Sequence, residues 1–343
     1  MRVLVTGGLG FIGCSLVRNL VINNHTVVNV DKMTYAGNKS SLIDIESSPN
    51  YEFINVDICD SEVMSNIFDT YCPEVIIHLA AETHVDNSIE EPVSFIHTNV
   101  VGTYKLLEVA LAYWSKLKGK SQTDFRLLHV STDEVFGDSY IINSGSMESD
   151  SYSPSSPYSA SKACSDHLVY AWYKTYGLPV LITRCSNNYG PYQFPEKLIP
   201  VTILNALHGK PILLYGDGNQ IREWIHVDDH VKALLMVLDK GRIGESYNIS
   251  SSCAKTNLEV VSAICNILES LQLDKPAKIR KYSDLITYVS DRPGHDFCYS
   301  LDTSKIQNEL GWRPIKYFNS GIEDTVSWYI NNPDWWKPNY SQT

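Results

Sequence analysis

Short runs of aliphatic and β-branched residues alternate with longer amphipathic stretches through the first half of the chain. Residues 2–6, 26–31, 51–56, 75–79, 125–131 and 180–184 read as strands, each brief, continuous and bounded by polar or turn-forming residues. Between them, 11–23, 61–70, 93–118 and 156–176 place apolar residues at helical spacing. Strands separated by helices predict βαβ units, hence an α/β, Rossmann-type, doubly wound parallel sheet with helices on both faces. The rhythm changes after Cys185. Residues 186–222 are rich in Asn, Gly, Pro and Tyr, with one amphipathic helix at 198–208. A helix at 227–239 and a strand at 246–249 are expected to return to the first sheet. Helices near 258–271, 303–310 and 321–331 are expected to build a smaller, mixed α/β substrate-binding lobe. The expected division is 1–185 plus 223–252, then 186–222 plus 253–335, with 336–343 as a tail. Ligands of such sheets sit beyond the carboxyl ends of the strands.

Composition narrows the function. A length of 343 residues, 43% of them hydrophobic and 20% charged, suits ordinary globular cores. The formal net charge of −11 argues against a nucleic-acid partner, which calls for a basic face. The first residues run straight into glycines without the features of a signal peptide, and no apolar run nears the ~20 residues that cross a bilayer. A cytoplasmic protein with no membrane partner is expected. The 8 cysteines show no C-x-x-C spacing, which favours free thiols in a reducing compartment. His226 and His230 stand four apart, but Asp228 and Asp229 between them read as helix-start acids, so no metal is expected.

The first strand ends in Thr6-Gly7-Gly8-Leu9-Gly10-Phe11-Ile12-Gly13. Such glycines allow a tight turn, a close approach of pyrophosphate, and a helix packed on the sheet. The helix N-terminus then offers N–H donors and partial positive charge. Asp31 ends the second strand at the roughly 20-residue offset expected of a carboxylate on an adenosine ribose. It would repel a 2′-phosphate, so NAD is the expected cofactor, with Lys32 next door as the one contrary sign. Asp57 and Ile58 are placed near adenine, and the small residues of Leu79-Ala80-Ala81 near the nicotinamide half. His78 and His84 read as strand-end and loop histidines.

Tyr158 and Lys162 lie one helical turn apart on one face. An ammonium and a cationic nicotinamide nearby would help a phenol, ordinarily near pKa 10, to act as a base while a carbinol is oxidised. Thr132-Asp133-Glu134 ends the fifth strand. Oxidation uses the Thr132 hydroxyl and the phenol, and leaves two carboxyls without work. Elimination of water gives them some: with a ketone at C4 of a sugar, one carboxylate removes the C5 proton and one carboxylic acid protonates the departing C6 hydroxyl. Neighbours on a regular strand point to opposite faces, so both carboxyls can act only if the backbone leaves β geometry at 133–134.

These motifs together resemble the extended short-chain dehydrogenase/reductases, and within them the nucleotide-sugar 4,6-dehydratases, over residues 1 to about 328. The resemblance rests on 6–13, 29–38, 78–86, 131–137, 154–162, 185–200, 220–224 and 291–296, with Asp133-Glu134 and the block Ser186-Asn187-Asn188-Tyr189-Gly190-Pro191 specific to the dehydratase branch. It implies that Tyr158, beside Lys162, oxidises C4, that Thr132 holds the C4 oxygen, that Asp133 is the acid at the C6 oxygen, and that Glu134 is the base at C5. It implies an NAD site of Gly7, Gly10, Phe11, Ile12, Gly13, Asp31, Lys32, Met33, Thr34, Asp57, Ile58, Leu79, Ala80, Ala81, Thr98, Tyr158, Lys162 and Asn188. It further implies that Thr83, Thr132, Asn187, Lys197, Leu198, Leu213, Leu214, Tyr215, Arg222, Asn257, Arg292 and His295 hold a nucleotide-diphosphate sugar, glucose linked to dTDP or UDP, with the two arginines suited to the diphosphate. A homodimer through a four-helix bundle of 93–118 and 156–176 is also implied.

The chain departs from that pattern in places. Thr83 stands for a usual Ser and Phe136 for a common Tyr. The loop 139–151 and the segment after Trp336 are short, and a late tyrosine contact to substrate has no evident counterpart. Two other readings remain at this point. A same-fold epimerase or decarboxylase would leave the acid pair idle, and a non-catalytic NAD(H)-binding regulator would leave Tyr158 and Lys162 idle.

Overall fold

A computed structural model describes residues 1–139, 145–277 and 279–340; residues 140–144 of the short loop and 341–343 of the expected tail lie outside it. In chain order the strands are β1 (Arg2–Thr6), β2 (Thr26–Asp31), β3 (Tyr51–Asn55), β4 (Val75–His78), β5 (Arg126–Thr132), β6 (Val180–Cys185), β7 (Asn187–Tyr189), β8 (Ile212–Tyr215), β9 (Ile221–His226), β10 (Ser246–Ile249), β11 (Ala254–Thr256) and β12 (Ile286–Val289). Seven of them form one sheet in the order β10-β6-β5-β4-β1-β2-β3. Every pairing in it is parallel. Both faces are covered, which is why the inner strands read as mainly apolar runs. Val3 and Val5 enter one core, while Leu4 between them enters the other. The order reverses between β1 and β4, and the cleft opens at their carboxyl ends.

Four expectations change. The stretch 93–118 is not one α-helix but Pro92–Phe95, a π-helical Ile96–Gly102, and Thr103–Lys116. This wider turn carries the buried residues Thr98 and Asn99, which meet Lys32 and Ser161. The helix Ser304–Leu310 packs on the first domain: Ile306 and Leu310 bury beside Leu234 and Tyr247, and Lys305 Nζ reaches Glu245 at 2.7 Å. The tail expected at 336–343 is, through residue 340, part of a helix Pro333–Tyr340. Its aromatic residues Trp335, Trp336 and Tyr340 are too large to leave in water and bury in the second core. Trp335 Nε1 even donates to Ser41 Oγ, in the first domain, at 3.0 Å. Finally, the second lobe holds two small sheets, β11-β9-β7 and a parallel β8–β12 pair, whereas the only strand expected beyond Cys185 was β10, in the main sheet.

The helix Pro157–Tyr176 has clear local causes. Ser156 caps it and exchanges bonds with Ser159 in a capping box, Pro157 occupies its first position, and Gly177 ends it at φ +76°. Tyr158 and Lys162 therefore sit in its first two turns, facing the end of β5.

Candidate active site

The glycine turn sets the cofactor end of the cleft. Gly7 sits at φ +75°, where a side chain would be strained, and a Cβ on Gly13 would lie 2.1 Å from Gly7 O. No side chain larger than hydrogen allows this approach. The helix Phe11–Ile22 starts at Gly10 with no side-chain cap and no acidic residue in its first turn. Its N–H groups and dipole are thus left for an anion, a fit to the pyrophosphate of NAD. Asp31 faces the same cleft, held by Leu9 N–H at 3.0 Å and Met33 N–H at 2.8 Å, and burial raises its carboxyl above the usual value. Lys32, the contrary sign for NAD, lines the cleft with its ammonium already engaged: Nζ donates to Thr98 Oγ1 at 3.0 Å and lies 3.7 Å from Asp57 and 3.8 Å from Glu82.

Of the residues expected around NAD, all but Met33 line this cleft. Met33 contributes its backbone to the turn instead, at φ +55°, with its side chain outward. His78 is a structural residue. Its ring lies 2.7 Å from Thr6 Oγ1 and 3.0 Å from Thr103 Oγ1, and burial holds it well below its usual pKa, hence neutral. His84 caps the helix Val85–Glu90, accepting from Asn87 N–H. His226 likewise caps its helix, and His230 Nδ1 lies 2.9 Å from Asn188 Oδ1.

The demand placed on residues 133–134 is met. After β5 the chain turns at once into a 3-10 helix, Asp133–Phe136, with the Thr132 hydroxyl accepting from Glu134 N–H. Gly137 closes this turn at φ +75°, against Ser153 O. Both carboxyls now line one cleft, with Thr132, Tyr158 and Lys162. Thr132 Oγ1 donates to Asp133 Oδ1 at 3.2 Å, and Asp133 Oδ2, buried, has no hydrogen-bond partner among the described residues. Burial first, then the Glu134 charge, pushes Asp133 well above the carboxylate range. Burial raises Glu134 as well, but Arg222 and Lys197 pull it back. One carboxyl is therefore built to stay protonated and the other to ionise more readily.

Lys162 Nζ donates to Val130 O at 2.9 Å, and burial lowers its pKa to about 8. Tyr158 is pushed well above its usual value, chiefly by burial and then by Glu134, with a hydrogen bond to Thr132 opposing. The expected help from Lys162 does not by itself make a phenolate here. Four residues further along the helix, Asp166 accepts from Tyr152 Oη at 2.6 Å and Arg184 Nε at 3.1 Å, and Arg184 lies over the Phe136 ring of the acid turn. This buried group ties the Tyr158 helix to the turn that carries both acids.

A second cavity adjoins the first, and Thr83, Glu134, Asn187, Glu196 and Lys197 line both. All the expected nucleotide-sugar residues face this second cavity except Thr132, which faces the first. Arg222 donates to the carbonyls of Ile221, Phe297 and Asp296 and lies over the Tyr299 ring at 4.3 Å. Arg292 pairs with Asp86 at 3.1 Å, and its buried Nε has no hydrogen-bond partner among the described residues. An orphaned guanidinium donor in such a cavity suits a phosphate oxygen. The sequence reading missed Phe194, Glu196, Asp296 and Tyr299, which lie in or beside the matching stretches but carry no motif of their own.

The family model described as GDP-mannose 4,6 dehydratase matches residues 4–325. The chain is 56% identical to the dTDP-glucose 4,6-dehydratase of Haemophilus influenzae over 335 residues, 97% of this chain and 98% of that one. The crystal structure of the dTDP-glucose 4,6-dehydratase DesIV of Streptomyces venezuelae, with NAD bound, superposes with a TM-score of 0.89 at 43% identity, covering 99% of this chain and 100% of that chain. A UDP-glucose 4-epimerase of Thermotoga maritima shares the fold at a TM-score of 0.84 but only 28% identity, covering 97% of this chain and 100% of that one. The chain belongs to the dTDP-glucose 4,6-dehydratase family.

Proposed function

We propose that this chain is an NAD-dependent hydro-lyase that converts dTDP-glucose to its 4-keto-6-deoxy form and water. The observation that carries the reading is the 3-10 turn at Asp133–Phe136, which points two unlike carboxyls into the cleft that Tyr158 lines. An epimerase of this fold needs the phenol but not the pair. Thr132 holds the C4 oxygen and Tyr158 takes the C4 hydroxyl proton. NAD, when bound, supplies a cationic ring that accepts the C4 hydrogen as hydride and gives it back at C6. Glu134 removes the C5 proton, now acidified by the neighbouring ketone, and Asp133 protonates the C6 hydroxyl as it leaves as water. A solvent-exchanged proton from Glu134 returns to C5 as the hydride reaches C6. Arg222 and Arg292 hold the diphosphate, with Lys197 and Asn187 at the sugar and Leu198, Leu213, Leu214, Tyr215, Asn257 and His295 toward the nucleoside.

The test is isotopic. With dTDP-glucose carrying deuterium at C4, the label is expected at C6 of the product, and solvent deuterium at C5. Label remaining at C4, or a product that keeps its C6 oxygen, rejects the reading. A comparison of kcat/KM for dTDP-glucose and UDP-glucose is expected to favour the former.

A homodimer through the helices that contain residues 103–116 and 157–176 fits this reading. Val93, Ile96, Tyr104, Tyr170 and Tyr176 are exposed apolar residues on or beside those helices. A sedimentation mass of a single protomer at micromolar concentration would refute that pairing.

A further inference from the structure

The residues after β2 form a braced arch rather than a loose loop. Met33 N–H donates to Asp31 Oδ1 at 2.8 Å, Gly37 N–H to Thr34 O at 3.0 Å, and Asn38 N–H to Leu9 O at 3.1 Å. Thr34, Ala36 and Gly37 line the cofactor cleft from this side. At the apex Tyr35 crosses to the opposite bank. Its ring meets that of Phe194 edge-on, with centroids 5.5 Å apart and planes at 82°. Its hydroxyl donates to Glu196 Oε1 over a long 3.4 Å, so the ring contact carries most of the attachment. Phe194 and Glu196 line the same cleft from their side. Glu196 is steadied in turn by Lys197 at 3.5 Å and His84 at 3.8 Å. Tyr35 itself is 48% exposed and is absent from the cleft wall.

A bridge in this place answers a need of the chemistry. The reaction proposed above borrows a hydride from C4 and returns it to C6 of the same sugar, so loss of the cofactor in mid-cycle would strand an oxidised sugar. We propose that Tyr35 is a retention residue: by joining the arch after β2 to Phe194 and Glu196 it latches the cofactor cleft, and NAD stays bound from one turnover to the next. The inference rests on the NAD-dependent reading of this site.

The experiment loads wild type, Tyr35→Ala and Tyr35→Phe with NAD and follows exchange against deuterium-labelled NAD by mass spectrometry of the released cofactor. Tyr35→Ala is expected to exchange roughly 3- to 10-fold faster, the size of effect an edge-on aromatic pair supports, and to lose activity on dilution unless NAD is added. Tyr35→Phe keeps the ring contact and is expected to stay within about twofold of wild type. Exchange by Tyr35→Ala within about twofold of wild type overturns the latch. So does faster exchange matched by a lower melting temperature in saturating NAD, which would make the contact merely structural. A wild type that takes up no NAD at all overturns the cofactor reading instead.

Discussion

Replacing Tyr158 by phenylalanine is expected to lower kcat by a factor of about 10² to 10⁴, the range that general acid–base groups supply. KM for the nucleotide sugar is expected to move little, because the ring stays in place and the nucleotide contacts lie in the neighbouring cavity. An interaction used only in the transition state shows itself as equal losses in kcat and kcat/KM. The folded chain sets the phenol high through burial and the Glu134 charge. Proton removal at rest is therefore disfavoured, and the base is available only when positive charge is added at the site. Lys162 is one source. Its amine, lowered to about 8, is charged below that pH and loses the charge as pH rises through it. Lys162→Met is accordingly expected to cost activity most on the acid side of 8 and to narrow the difference from wild type above it. Steady-state rates from pH 6 to 9 check both variants. A Tyr158→Phe protein within tenfold of wild type would remove the phenol from the reaction.

Much of this site could be read in the sequence because its chemistry is local. The glycine turn, Asp31, the acid pair and the Tyr158–Lys162 spacing each need only neighbours within a few residues. The inner strands of the main sheet were equally open to reading, since burial on both faces makes most of their positions apolar. Even the departure from strand geometry at Asp133 followed from the need to place two adjacent carboxyls in one cleft. Other features depend on partners far away. The π turn at Ile96–Gly102 answers to Lys32 and Ser161, which Thr98 and Asn99 meet. The helix Pro333–Tyr340 exists because its tryptophans have a core to enter, and nothing within those eight residues announces it. Glu196 and Phe194 belong to the site only because a loop of the second lobe folds back over the cleft. Their partner Tyr35 lies 161 residues from Glu196 in sequence. Met33 erred the other way: it stands in a matching stretch, but the left-handed backbone turns its side chain out.

Asp133→Asn and Glu134→Gln are expected to stop water loss by about 10² to 10⁴ while breaking the reaction at different points. An amide at 133 cannot protonate the C6 oxygen, but Glu134 can still exchange the C5 proton with solvent. Deuterium is then expected to enter C5 without loss of water. With Glu134→Gln that exchange itself is expected to vanish. Mass and proton spectra of recovered sugar distinguish the two. The pH dependence follows from the direction of the shifts. Glu134 must be ionised, so activity is lost as pH falls through its raised value. Asp133 must be protonated, so activity is lost as pH rises through its own, higher one. The limbs belong to the coupled pair rather than to either residue alone. Stability carries the opposite mark. A carboxyl whose folded pKa is raised holds its proton more tightly folded than unfolded. Its ionisation then weakens the fold as pH climbs from the unfolded value of about 3.9 toward the raised one. Asp133→Asn removes that penalty. The inactive variant is expected to melt higher than wild type at pH 8, with the gap closing toward pH 4. A variant that melts lower at pH 8 would mean that this carboxyl stabilises the fold, and the acid kept protonated by burial that the dehydration requires would not be present.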